Sequence, residues 1–436
     1  MDSATLSIII AGSMVLILLA SNVYIGVTLG MAAIVGTAIY TGSLERGISL
    51  ILHTSVSVTT TYGFLVIPLF ILLGMFASYS GIAADLFKAD YRWVGHIPGG
   101  LGITTVITCA GLAAITGTSL GTVAAMIKIA LPEMRKYNYD EELSVGVISV
   151  AGTLAIMIPP SVTFVLYAIF AEQSIGKLLI SGILPGLVIA SLYSVMIIVR
   201  CMINPRLGPR AAKFTWRERW SSLLGVAPFF TLLAAIFLGI LFGIWTPVES
   251  SAAGVVIVFF MALLRRQINL QSLLRSLVDA VVTTSSIMIL VIGCMMFSKF
   301  LSLTGFNEVM IQAIIDLSLP PFFFFVLLIL VYTILGMFLE ATSIIALTIP
   351  LMMPVIKAVG WDPIWFGVII VCLMEVAAVT PPVGLVLYTV KATAPEIPIE
   401  TIYRGCVPFW LCNIIAVFIF YFAPQIALLL PSMMKM

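Results

Sequence analysis

Residues 151–161, AGTLAIMIPPS, and residues 374–384, MEVAAVTPPVG, decide how this chain folds. Each sets a Pro-Pro pair in the middle of an apolar run long enough to cross a bilayer, and Pro381-Pro382 follows Pro159-Pro160 by 222 positions. A proline removes a backbone N–H and clashes with the carbonyl four residues back. In hydrocarbon the freed polar groups must find partners inside the protein or in a wet cavity. The two segments are therefore read as broken helices, over 141–175 and 362–395.

Working outward, the same offset carries Pro132 and Asp140 onto Pro354 and Asp362, and an offset of 224 carries Gly30 and Gly81 onto Gly254 and Gly305. Two halves, 1–203 and 221–436, thus follow one plan, joined by a basic linker at 204–220. Each half reads as two spans, a polar amphipathic arm (43–61 and 267–284) lying along the interface, a third span, an interrupted apolar segment, and two further spans. The interrupted segments, 97–134 and 320–356, fit two half-depth helices joined by a polar tip, Gly117 to Thr122 in one and Glu340 to Ser343 in the other. Read as re-entrant hairpins they leave five crossings per half, an odd number, so the halves enter the bilayer in opposite senses. The competing reading makes each a pair of full spans joined by a short loop. The fold class expected is an all-α polytopic membrane protein of two inverted repeats.

Composition agrees, since 61% of the 436 residues are hydrophobic and 9% charged, a balance that only lipid as solvent accommodates. Orientation follows from the basic residues. One choice of sidedness puts Lys88, Arg92, Arg135, Lys136, Arg200, Arg206, Arg210, Lys213, Arg217, Arg219, Arg265, Arg266, Arg275, Lys391 and Arg404 in the cytoplasm, and only Arg46, Lys177, Lys357 and Lys435 outside. Lys128 and Lys299 fall within hairpins or spans. Both termini are then periplasmic, the first hairpin opens from the cytoplasm and the second from the periplasm.

The six cysteines form no CxxC pair and there are two histidines, a pattern that does not suggest zinc or a disulfide framework. No GxxxxGK[ST], GxSxG or HExxH motif occurs, so the chain is not expected to be an enzyme or to hydrolyse ATP itself.

The chemistry should lie where tips meet breaks. Unwound carbonyls can ligate a hard cation such as sodium, and half-helix N-termini favour an anion. The tips add hydroxyls from Thr118, Ser119, Thr122, Thr342 and Ser343. Intramembrane carboxylates cost about 2.5–3.5 kcal/mol on insertion scales. Glu340 and Glu375 therefore need a reason, either balancing a cation or pairing locally. Glu249, in TPVES, reads as interfacial.

At these residues the chain resembles the large membrane subunit (DctM type) of tripartite ATP-independent periplasmic (TRAP) transporters. IPLFILLGMFAS (67–78), ITGTSLGTVAAM (115–126) with LPEM, IPPS, TPVESSAAG, LGMFLEATS (335–343) with LTIPLMMPV, GWDP and MEVAAVTPPVG carry the resemblance in order along nearly the whole chain. It implies the fold of an elevator-type ion-transporter superfamily, with sodium as coupling ion and no organic cofactor. One sodium site would draw on Gly117, Thr118, Ser119, Gly152, Thr153 and Pro159, the other on Ala341, Thr342, Ser343, Thr380, Pro381 and Val383. Substrate, an organic acid such as a C4-dicarboxylate, sialic acid or sugar acid, would lie between the tips near Ser119, Thr122, Ser161, Thr342 and Gly384. The implied partners are a small four-span (DctQ type) membrane subunit and a periplasmic (DctP type) binding protein, at the bacterial inner membrane. Two departures, Leu385-Val386-Leu387 for the usual Leu-Asn-Leu and Ala377 for the usual Gly, bear on contacts near Val386. The alternative is a stand-alone sodium or proton-coupled anion transporter of the same superfamily. A passive channel would need pore-lining charges that the sequence does not show.

Overall fold

The computed structural model describes residues 2–434 apart from Ala212, Arg266 and Ser318, and leaves aside the side chains of Tyr79, Ile115 and Ile315. Arg266 and Lys435, both used in the charge argument, lie outside the described residues. All regular structure among the described residues is helical.

The first half runs α1 (Ser3–Ala20), α2 (Ile25–Thr41), α3 (Leu44–Thr60), α4 (Val66–Tyr79), α5 (Ile82–Val94), α6 (Gly100–Thr116), α7 (Ser119–Lys136), α8 (Glu141–Met157), α9 (Val162–Phe170), α10 (Ile175–Ser181) and α11 (Ile183–Ile203). The second runs α12 (Trp216–Leu241), α13 (Pro247–Leu264), α14 (Leu270–Leu303), α15 (Phe306–Asp316), α16 (Pro321–Phe338), α17 (Ala341–Val359), α18 (Pro363–Ala378), α19 (Leu385–Thr393), α20 (Ile399–Phe422) and α21 (Gln425–Ser432). Among the described residues eight helices could each cross a membrane by length and composition, or up to ten if each of two bent pairs counts as one span.

The repeat is visible element by element. Asp140 and Asp362, one offset apart, each cap a broken helix: Asp140 accepts from the Leu143 N–H at 2.9 Å, and Asp362 from those of Ile364 and Trp365. The Pro-Pro pairs then end α8 and α18, and α8 resumes as α9 after a bend of 41°. Contacts between halves are reciprocal. α2 packs on α14 as α13 packs on α4, and α7 packs on α19 as α17 packs on α9. The first exchange builds a frame, the second an inner group of hairpins and broken helices. At the frame crossing of α2 with α14, a Cβ on Gly293 would sit 1.8 Å from the Gly26 carbonyl oxygen, so only hydrogen fits.

Three expectations shift. The linker ends at residue 215 rather than 220, because Thr215 and Glu218 form a capping box that starts α12. The second arm is no separate element: α14 runs unbroken for 34 residues from Leu270 through the expected arm and the span after it, whereas α3 turns through 65° into α4. The reason lies in the sequence. Gly63 and Pro68, which loosen the backbone and remove a helical N–H at the first bend, correspond to Ile287 and Ile292 in the second half. Third, α16 and α17 have 18 and 19 residues, each long enough alone to cross, so length does not separate the hairpin from the two-span reading. Glu249 completes a capping box with Thr246 at the start of α13, which accounts for its place.

Candidate substrate and ion site

Both tips form for identifiable reasons. α6 stops at Gly117, whose φ of +59° places it in the left-handed region, and Thr118 swings to an extended conformation before α7 begins. A Cβ on Gly117 would stand 3.0 Å from the Pro160 carbonyl oxygen, so tip 1 rests on break 1 at close range. Thr116 and Thr122 join their hydroxyls across the tip, and Thr122 also donates to the Thr118 carbonyl at 2.9 Å. At tip 2, Leu339 and Glu340 are extended, the Glu340 carbonyl accepts from the N–H groups of Ser343 and Ile344, and the Thr342 hydroxyl donates to the Glu340 carboxylate.

Between the tips lies a cavity of about 430 Å³. Tip 1 lines it with Gly117, Thr118, Ser119 and Leu120, and tip 2 with Leu339, Glu340, Ala341 and Thr342. Val162 and Thr163 enter from the start of α9, Leu385 and Val386 from the start of α19. Four helix N-termini, those of α7, α9, α17 and α19, therefore converge on one space. Each helix start presents unpaired N–H groups and a partial positive charge, worth about 0.3–1 kcal/mol to an adjacent anion and up to about 2 when partly buried. Among the described residues Glu340 is the one charged side chain in the lining.

Ser161, expected near the substrate, and the residues expected at the sodium sites on the broken helices stand at the breaks and not in the lining of this cavity. Ser161 donates to the Ile156 carbonyl at 2.6 Å and accepts from the Phe164 N–H, capping α9. Gly152 receives Val123 of α7, and Thr153 donates to the Val150 carbonyl within its own helix. Thr380 donates to the Val376 carbonyl and accepts from the Trp410 indole at 3.0 Å. Tyr403 donates to the carbonyls of Pro382 at 2.7 Å and Val383 at 3.3 Å, using one lone pair of each and leaving a second. Gly384, at φ +58°, starts α19. Pro159, Thr122, Ser343, Pro381 and Gly384 also stand off the lining. Glu375 is fully buried on α18, and neither of its carboxyl oxygens has a partner among the described residues.

The frame supplies residues the sequence reading missed. Tyr24 at the start of α2 and Thr283, Ser286 and Ile287 of α14 close the cavity on the frame side, with Tyr24 donating to the Ser286 carbonyl at 2.8 Å. The signal was present as Thr283-Thr284-Ser285-Ser286, a hydroxyl run inside an apolar helix.

Residues 13–426 match the family model described as tripartite ATP-independent periplasmic transporter, DctM component. A C4-dicarboxylate TRAP transporter large permease protein of Pseudomonas aeruginosa is 33% identical over 86% of this chain and 87% of its own. A 2,3-diketo-L-gulonate TRAP transporter large permease protein of Escherichia coli is 28% identical over 88% and 89%. In fold the chain is similar to the YdaH transporter of Alcanivorax borkumensis, a crystal structure described as having an unusual topology, with a TM-score of 0.62 and 14% identity over 89% of this chain and 88% of that one.

Proposed function

This chain belongs to the DctM family of tripartite ATP-independent periplasmic transporters, the large permease subunits, and from that premise we propose that it carries a small organic acid across the bacterial inner membrane in symport with sodium. The observation that supports this best is the convergence of four helix starts on one cavity between the tips. A carboxylate there gains from N–H groups and helix dipoles without a buried arginine or lysine to release it from.

Sodium would sit behind the tips. One ion would use the Gly117–Ser119 turn and the carbonyls around Thr153 and Pro159, the other the Ala341–Ser343 turn and the carbonyls around Thr380, Pro381 and Val383. Oxygen ligands of this kind suit a hard cation, and a cation bound there would fix each tip against its break. Glu340 and the Thr342 hydroxyl would orient tip 2. Substrate in the tip cavity would travel with the inner group of hairpins and broken helices, which slides against the frame in an elevator motion. Both hairpins would be re-entrant, the halves inverted and both termini periplasmic. A small DctQ-type membrane subunit and a DctP-type binding protein would complete the assembly, the latter setting much of the specificity.

The test is uptake by the protein reconstituted with its two partners, using labelled succinate, 2,3-diketo-L-gulonate and N-acetylneuraminate in parallel. Uptake of one of them should vanish when sodium is replaced by potassium at equal ionic strength. Equal uptake in potassium overturns the coupling, and no uptake of any of the three overturns the substrate class.

A further inference from the structure

Tip 1 has a second cavity on its other side. It measures about 410 Å³ and lies between the α4–α5 corner of the frame (Ala77, Ser78, Gly81, Ala84) and the two arms of the first hairpin (Thr116, Gly121, Ala125, Lys128). Lys128, near the middle of α7, is exposed and enters none of the ion pairs or side-chain hydrogen bonds among the described residues. Its ammonium is the one charged group in this lining among the described residues. Everything around it is a methyl, methylene, backbone or hydroxyl group.

The second half seats the corresponding arm differently. There α17 packs directly on α14 and α15. The residues at two corresponding positions are larger, with Leu301 and Leu347 where the first half has Ala77 and Ala125, while Phe338, which corresponds to Thr116, is exposed. The opening beside hairpin 1 is thus written in small side chains. A lysine kept at mid-helix, where a charge is costly unless it faces water or an anion, marks that opening as a wet, positively charged chamber.

We propose that this second cavity is a separate anion-binding chamber on the transport path, in which Lys128 binds the carboxylate of the cargo after it passes tip 1. The inference rests on the organic-acid reading above. The tip, Gly117–Leu120, faces the first cavity, while Thr116 and Gly121 at its roots face the second, so the turn is the partition between them. A single flexible ammonium among small apolar groups holds one carboxylate loosely, as a relay position requires. Lys128 is accordingly a specificity residue for anions and no part of the sodium sites.

The experiment uses Lys128→Cys in the reconstituted three-part transporter, with uptake of the same three acids. The described native cysteines are all buried, so the new thiol is the accessible one. Uptake efficiency should fall about tenfold, or roughly 1.4 kcal/mol. Methanethiosulfonate-ethylammonium, which restores a cation, should recover most of it, and the ethylsulfonate reagent should abolish the remainder. Lys128→Arg should retain most of the wild-type rate, which separates loss of charge from misfolding. Equal block by both reagents, or no effect of either while the wild type transports normally, overturns the chamber and leaves the transport reading standing. If the wild type itself moves none of the acids, the transport reading fails and this inference falls with it.

Discussion

The two hairpins are built to one plan and seated differently. α17 is packed against α14 and α15, while hairpin 1 packs on α4 and α5 mainly through α6 and leaves a 410 Å³ cavity between α7 and the α4–α5 corner. Beneath this difference the inner contacts are symmetric, each hairpin leaning on the opposite half's broken helix. The asymmetry therefore lies at the boundary between frame and inner group, where a sliding motion would have to occur. A repeat whose two hairpins are seated differently already holds two seatings of one structure, and exchanging them would expose the tip cavity to the other side.

The largest effects should come from the tips, where the comparison expects equality. Ser119→Leu and Thr342→Leu should each cut uptake on the order of a hundredfold with normal membrane expression, since both tips wall the same cavity and near-ångström misplacement costs that much. If one variant transports normally, the two tips are not equivalent and the shared-cavity account is wrong. Next, giving hairpin 1 a side chain of hairpin 2, through Ala125→Leu, should fill part of the space beside α7 and favour one seating. Transport should slow about tenfold, consistent with a population shift of about 1.4 kcal/mol, while thermal stability holds or rises. Faster transport would contradict the seating idea.

The frame offers a sharper contrast in stability. Gly293→Val drives a side chain into the Gly26 backbone and should cost about 1–3 kcal/mol. Gly254→Val, at the reciprocal crossing, meets first the flexible end of Leu73 at 2.4 Å and should cost less. Thermal unfolding of the two variants ranks them, and the reverse order would show that the crossings do not correspond. The smallest effect should come from Arg135, which at the end of α7 ties Glu141 at 2.8 Å and Glu396 at 2.9 Å. The backbone N–H of Glu396 and then the Arg135 guanidinium hold the Glu396 carboxyl below its usual range. A lowered folded value means that its contribution is present above the unfolded carboxylate range, about pH 4, and fades as pH falls through the folded value. Arg135→Ala should therefore shift unfolding slightly at pH 7 and not at pH 3, and an equal shift at both would remove the charge explanation.

Much of this was legible in the residues. Pro159-Pro160, Pro381-Pro382 and the two aspartate caps announced the breaks because each removes or satisfies backbone groups locally. The tips were legible because Gly117-Thr118-Ser119 and Glu340-Ala341-Thr342 interrupt long apolar runs. The continuity of α14 was present too, in Ile287 and Ile292 standing where Gly63 and Pro68 stand, but a polar stretch was read as an interfacial arm. Tyr24 was out of reach, since a frame residue joins a cavity only through tertiary packing, whereas Thr283 carried a signal in the hydroxyl run Thr283 to Ser286. Ser161, expected near the substrate, and Thr380, expected at a sodium site, donate their hydroxyls to backbone carbonyls, a choice that depends on which carbonyl is nearest.

The two hairpin seatings should exchange during transport. Paired spin labels at Ala84 and Ala125 report the gap beside hairpin 1, and labels at Glu308 and Leu347 report the matching packed seat beside hairpin 2. With sodium and a transported acid present, a second population is expected in which the first separation shortens and the second lengthens together. Separations that stay fixed, or that change in the same sense while uptake proceeds, would contradict the exchange.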